Sequence, residues 1–216
     1  SAVSSGRALG RSSATRSPVS AAAKVGAARR AAAPKLAAEV EGRLAALAMP
    51  QATLQIEVGE EDPGDRVEFR LAANPGIDPA PLQRAASGGE LSRVLLALRL
   101  VLSGGPDTMV FDEVDAGIGG ATALEVGRAL AEVAEGSQVL VVTHLAQVAA
   151  HADQQVRIAK SIGEEATTTT VEPVDGEARL AELARMLSGT PDSTATRSNA
   201  EELLARASRP AVAERH

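Results

Sequence analysis

The apolar positions change their rhythm along the chain, and each rhythm predicts an element. Thr53-Leu54-Gln55-Ile56-Glu57-Val58 alternates polar and apolar, and so does Val67-Glu68-Phe69-Arg70-Leu71. A period of two sends every second side chain to one face, so both stretches read as half-buried strands. Glu60-Glu61-Asp62-Pro63-Gly64-Asp65 between them is turn chemistry, which joins the strands into a β-hairpin. The rhythm then lengthens. Leu91, Val94, Leu95, Leu98 and Leu102 recur at helical spacing and predict the buried face of a helix. Two short apolar runs, Thr108–Phe111 and Gln138–Val142, predict buried strands. A helix over 122–134 separates them, with Leu124, Val126, Leu130 and Val133 as its apolar points and Gly136 as its stop.

Downstream, a helix is expected from Leu145 to about Ala150, then strands over 155–159 and 167–174. An acidic loop around Gly163-Glu164-Glu165 joins those strands, and helices over 177–187 and 199–207 close the chain. Strands that alternate with helices from Ser87 onward predict an α/β fold with a largely parallel sheet. Upstream, residues 21–48 are Ala-rich with apolar points at Val25, Leu36, Val40, Leu44 and Leu47. They predict a helix that breaks near Pro34 and is closed by Pro50. Residues 1–20 are Ser, Arg, Ala and Gly without periodicity, and read as disordered or foreign to the fold.

Composition narrows the class. The 216 residues are 44% hydrophobic, enough for one core, and that core is aliphatic because the chain has two Phe and no Trp or Tyr. A base-stacking platform for single strands needs aromatics and is disfavoured. There is no Cys, hence no disulfide framework and no thiolate metal site. No apolar run approaches membrane-spanning length, and the first stretch lacks the apolar segment of a secretory signal, so the expected location is cytoplasmic. The net charge of −6 is uneven. Residues 1–43 carry eight Lys/Arg against two Glu, so the rest carries −12. An acidic body is not the footprint of a dedicated DNA-binding domain.

The chemistry gathers between Ala86 and Gly120. Ser87-Gly88-Gly89-Glu90 is a small polar turn that opens the Leu91–Leu102 helix, with Ser87 placed as its cap. A helix start offers unpaired N–H groups, and two glycines let a phosphate approach the backbone. The run Met109-Val110-Phe111 ends in two consecutive carboxylates, Asp112 and Glu113. Two acids at the end of a central strand are a recurrent phosphoryl-transfer arrangement, one holding Mg²⁺ and the other orienting or deprotonating water. The strand Val139–Thr143 ends in His144. Each piece has a plain structural reading as a capped helix, an acid-rich loop or a strand-end histidine. His151 and His216 have no comparable context.

Ser87-Gly88-Gly89-Glu90-Leu91-Ser92-Arg93 resembles the signature motif of ABC-type ATPases. Val110-Phe111-Asp112-Glu113-Val114-Asp115-Ala116-Gly117-Ile118-Gly119-Gly120 resembles their Walker B strand and D-loop. Val141-Val142-Thr143-His144-Leu145-Ala146-Gln147 resembles their switch-histidine loop. The wording, with Ala178-Arg179-Leu180-Ala181-Glu182-Leu183-Ala184-Arg185-Met186-Leu187-Ser188-Gly189 and a last Glu-Glu-Leu-Leu-Ala helix, is similar to the RecN family of DNA double-strand-break repair ATPases, relatives of the SMC proteins. The resemblance runs from about Ala27 to Ala207.

It implies the C-terminal lobe of an ABC/SMC-type P-loop ATPase head over 50–210. Residues 21–49 would be the end of a coiled coil and residues 1–20 an extension outside the family. It implies that Ser87, Gly88 and Gly89 bind the γ-phosphate of ATP, with Glu90 near it. Asp112 would hold Mg²⁺, Glu113 would be the catalytic base, His144 would sense the γ-phosphate, and Asp115 would be the D-loop acid that communicates across a dimer. The P-loop pattern G-x-x-x-x-G-K-[ST] does not occur here. ATP hydrolysis is therefore expected only when an N-terminal Walker A lobe and a second head complete the site; the chain alone is expected to be inactive. DNA is a partner by resemblance only. The alternatives are a non-catalytic dimerisation or interaction module, a gene fragment, or an ABC transporter nucleotide-binding subunit.

Overall fold

The computed structural model describes residues 18–102, 104–162, 167–188 and 194–208. The expectation for residues 1–20 falls outside these up to residue 17, and the Gly163-Glu164-Glu165 loop and His216 also lie outside.

Helix α1 spans Pro18–Ala46 and runs straight through Pro34, where a break was expected. A proline there removes one helical hydrogen bond. Packing offsets that loss: Ala33, Ala37, Val40 and Leu44 are buried along one side. Side chains add to it. Arg30 donates to the Gly59 carbonyl (3.0 Å) and pairs with Asp62 (2.6 Å), while Arg29 reaches the Pro63 carbonyl (3.1 Å) and Asp65 (2.7 Å). Glu41 accepts the backbone N–H of Leu54 at 2.7 Å. The helix ends in a Schellman-type turn, with Ala48 at φ 63° and the Met49 N–H bonded to the Leu44 carbonyl at 3.0 Å.

The expected hairpin is present as β1 (Thr53–Val58) and β2 (Val67–Ala72), paired antiparallel from Thr53↔Ala72 to Val58↔Val67. The loop expected after it holds a two-residue strand β3 (Ala80–Pro81) on β2 and a single turn α2 (Leu82–Ala85). Leu54 and Leu71 point into the core under α1.

Helix α3 (Gly88–Val101) buries Arg93, Val94, Leu96 and Ala97. The expected face was partly different: Leu95 and Leu102 are exposed. The helix lies between α1 and α4 (Gly120–Ala134), so the buried side is set by two neighbours rather than by one stripe of leucines. Strands β4 (Thr108–Phe111) and β5 (Gln138–Val141) form the parallel part of this α/β fold, in register Thr108↔Gln138 to Phe111↔Val141. Both were expected to be buried, yet only one face is. Phe111 is buried, and Met109, Val139 and Val141 pack on the same core. On the other face Val110, Leu140 and Val142 are 66%, 50% and 59% exposed.

A second cluster lies C-terminal. The short helix α5 (Ala146–Ala149), α6 (Gly176–Ser188) and α7 (Thr194–Ala207) pack through Ala146, Ala149, Leu180, Leu183, Ala184, Ala200 and Leu203. Arg179 seals the end of α5 by donating to the carbonyls of Ala149, Ala150 and Ala152. Strands β6 (Gln155–Ile162) and β7 (Thr167–Val174) pair antiparallel.

Candidate functional site

The motif loops meet at the C-terminal end of the β4–β5 pair. The first is built by a local capping box. Ser87 Oγ accepts the Glu90 N–H at 3.3 Å, and the Glu90 carboxylate accepts the Ser87 N–H at 2.8 Å. The two residues satisfy each other's orphan groups at the helix start. This assigns Glu90 a structural partner within its own turn, while Ser87 and Gly88 remain exposed.

Asp112 and Glu113 follow the last residue of β4, and both are exposed. Neither carboxylate bonds or pairs with another described residue. Glu113 sits at φ 56°, in the left-handed region that L-residues other than Asn and Asp seldom occupy. A backbone outlier of this kind, held by its surroundings, is commonly found at functional sites. The turn is fixed by the Ala116 N–H bonding to the Glu113 carbonyl at 2.9 Å.

Helix α3 clamps this loop. Ser92 Oγ donates to the Asp112 carbonyl at 2.7 Å. The buried Arg93 guanidinium donates to the carbonyls of Val114 (3.3 Å) and Ala116 (3.0 Å), and burial pulls its pKa down. Gly89 has no room for a side chain: a Cβ there would lie 2.8 Å from Ala116 Cβ and 2.9 Å from the Glu113 carbonyl oxygen. A Cβ on Gly88 would strike the Glu113 carboxylate. Gly89 is thus required for close approach of the signature-like turn to the acid-bearing loop, whereas at Gly88 the exposed Glu113 side chain could swing aside.

Asp115 closes the site from below. It is 3% exposed, and its carboxylate accepts the Thr143 hydroxyl and the His144 backbone N–H (3.0 Å), with His144 Nδ1 3.1 Å away. Thr143 Oγ1 in turn accepts the Leu145 N–H at 3.0 Å. The carboxylate therefore faces inward onto the β5 end of its own chain. The His144 ring is mostly exposed.

All eight residues picked from sequence therefore lie in loops that touch one another: Ser87, Gly88, Gly89, Glu90, Asp112, Glu113, Asp115 and His144. Sequence reasoning missed Ser92, Arg93 and Thr143 as the ties between those loops. The only hint was that Ser92 and Arg93 stand one helical turn after the Gly-Gly pair. A free carboxylate pair suits Mg²⁺, which is commonly held by one or two carboxylates plus substrate phosphates. Among the described residues no cluster of three His, Asp or Glu could cage a metal ion unaided. The groove between α1 and β1, lined by Arg30, Pro34, Glu41 and Leu54, shares no residue with these loops.

No family model matches the chain. It is similar to the DNA repair protein RecN of Streptomyces coelicolor, 45% identical over 196 residues, covering 82% of this chain and 34% of that protein. The Deinococcus radiodurans RecN is 48% identical over 168 residues, covering 78% of this chain and 28% of its own length. The chain thus spans about a third of the length of the curated relatives it matches. The fold is like that of an Smc head domain with a coiled coil and joint from Pyrococcus yayanosii, with a TM-score of 0.52, 23% identity, and 71% of this chain and 29% of that one covered.

Proposed function

This chain belongs with the RecN DNA repair proteins, and from that premise we propose that it is the C-terminal ATPase lobe of a RecN-like protein acting on DNA double-strand breaks. It hydrolyses ATP only when a Walker A lobe and a second head complete the pocket. What supports this reading most directly is that the Asp112–Glu113 and His144 loops meet at one end of β4–β5, tied through Asp115, while Ser92 and Arg93 anchor the Ser87–Gly89 turn beside them.

In this reading Asp112 would hold Mg²⁺, which when bound neutralises charge on the phosphoryl oxygens. Glu113 accepts a proton from the attacking water, a role its free, exposed carboxylate suits. The Ser87 hydroxyl and the N–H groups of Gly88 and Gly89 cradle a γ-phosphate, supplied from the second head. Asp112 and Glu113 serve the site of their own head. The apolar outer face of β4–β5 supports the need for a further lobe, since three aliphatic side chains side by side on a sheet are costly to leave in water. Nothing in the cradle supplies the lysine that a P-loop aims at the β- and γ-phosphates.

The test is ATP hydrolysis by the chain alone, then mixed with a matching lobe that carries G-x-x-x-x-G-K-[ST], with Glu113→Gln beside both. The expected result is no turnover alone, turnover on mixing, and a loss of roughly 10²–10⁴-fold in the Glu113→Gln mixture, the range for a general base. Silence of the mixture, with both parts folded, would move the assignment to a non-catalytic interaction module. Turnover by the chain alone that depends on Glu113 would mean that a complete phosphate cradle exists within these 216 residues.

A further inference from the structure

We propose that Arg93 is a positioning residue for Glu113: from within α3 its guanidinium sets the turn on which the Glu113 carboxylate stands. That turn follows β4, and its middle is deeply placed, with Val114 fully buried and Asp115 3% exposed. Buried carbonyls must find donors. Ser92 Oγ donates to the Asp112 carbonyl at 2.7 Å. The turn itself supplies two more bonds, from the Ala116 N–H to the Glu113 carbonyl at 2.9 Å and from the Ile118 N–H to the Asp115 carbonyl at 3.3 Å. The Val114 and Ala116 carbonyls remain, and one terminal nitrogen of Arg93, Nη1, donates to both, at 3.3 and 3.0 Å. A side chain 21 and 23 positions upstream thus completes the turn.

Arg93 is a costly choice for that task. It is 6% exposed and pairs with no described carboxylate, and its Nε is buried without a hydrogen-bond partner. Glu90, one turn back, is the acid whose charge it feels. Arginine does not shed its proton, and stability alone favours an apolar side chain over a poorly compensated buried charge. What the cation holds explains the cost. Glu113 sits at φ 56°, a conformation that such a residue keeps only where its surroundings impose it. Its own side chain is exposed and unpartnered, so the hold acts on the backbone that follows. Arg93 supplies it one and three residues on. That Glu113 then faces a water rests on the function proposed above. The hold on its backbone does not.

The first readout is the backbone of Glu113 in the intact chain, without nucleotide. Arg93→Met keeps the bulk and removes the donors. The ¹³Cα and ¹³Cβ resonances of Glu113 are expected to leave their left-handed values. Exchange of the Ala116 amide is expected to rise roughly 10–100-fold, the scale of stranding two buried carbonyls. The Leu183 amide, in the C-terminal cluster, is expected to keep its rate. Glu113 resonances that stay put in a folded Arg93→Met chain overturn the proposal. So does a rise in exchange shared equally by Leu183, the mark of a merely structural loss. Should the variant not fold, the parent chain decides: separate, slowly exchanging ¹⁵N–¹H signals are expected from the Arg93 guanidinium, and a freely rotating, fast-exchanging group overturns the proposal. In the lobe mixture Arg93→Met is expected to lower kcat about 10–100-fold with KM little changed, the cost of a displaced group, and Arg93→Lys, which keeps a charged donor, to recover part of it. An effect confined to KM overturns the positioning role. If the parent mixture is silent, the ATPase reading falls and the Glu113 resonances still decide this one.

Discussion

The two sheets of the main core treat their apolar residues in opposite ways. In β1–β2, Leu54 and Leu71 lie under α1 with almost no surface left in water. In β4–β5 the inner face packs on the same core, with Phe111 buried and Met109, Val139 and Val141 partly buried, but Val110, Leu140 and Val142 on the outer face are half or more exposed. Both strand pairs draw on the same aliphatic residue types. What differs is whether this chain provides the layer above them: α1 covers the first sheet, and none of the described elements covers the second. Burial of an aliphatic side chain is worth about 1.5–3 kcal/mol, so the bare face withholds several kcal/mol that a covering layer would recover.

That contrast can be broken by substitution. Leu71→Ala, fully buried, is expected to cost about 2–5 kcal/mol in chemical denaturation, through lost transfer energy and the cavity left behind. Gly127→Ala comes next, at about 1–3 kcal/mol, by overpacking. Its Cβ would strike the His151 ring and lie 3.0 Å from the Gln147 carbonyl oxygen, forcing α4 and α5 apart. Ser87→Ala should cost about 0.5–2 kcal/mol by removing the cap of α3, read as a lower denaturation midpoint. Val110→Ala, on the bare face, should stay within about 0.5 kcal/mol of the parent chain. If it costs as much as Leu71→Ala, the outer face is covered in solution after all, for example by a second copy.

The smallest expected effect is a pH slope. Burial pushes the His151 pKa down, and its bond to the Gln147 carbonyl only partly opposes this. The folded pKa is thus below the unfolded one. The contribution is present above the unfolded value of about 6.5 and is lost as pH falls through the folded value. Denaturation at several pH values between neutral and mildly acid should show a small loss that His151→Gln abolishes.

Local patterning made much of this molecule legible. The β1–β2 hairpin, the capped start of α3 and the loops after β4 and β5 each depend on residues close in sequence, and each is found where its pattern stands. The ties between loops were not legible. Asp115 meets Thr143 and His144 across 28 and 29 positions, and no periodicity reports such a contact. Nothing in the local pattern around Arg93 on the first turns of α3 marks it as buried, yet it is buried among backbone carbonyls. Leu95 and Leu102 fit a helical stripe but face water, because the direction from which a helix is covered depends on its neighbours. Pro34 failed to break α1 for a related reason: the penalty is local, and the packing that outweighs it comes from β1 and the hairpin turn.

Helix α1 has a mechanical consequence. Its 29 residues extend about 43 Å at 1.5 Å per residue. Its fastenings are staged along that length: Arg29 and Arg30 to the turn of the hairpin, then Glu41 to the first residues of β1, then Val40 and Leu44 in the core. A tension applied at the Pro18 end would load the two arginines first, in shear against the 59–65 turn. The exposed ion pairs there are weak, so they would yield before the core felt the strain. The helix is thus a shaft with a compliant outer collar and a stiff inner bearing, and small pulls would be absorbed at the hairpin turn while the loops after β4 and β5 stayed in place.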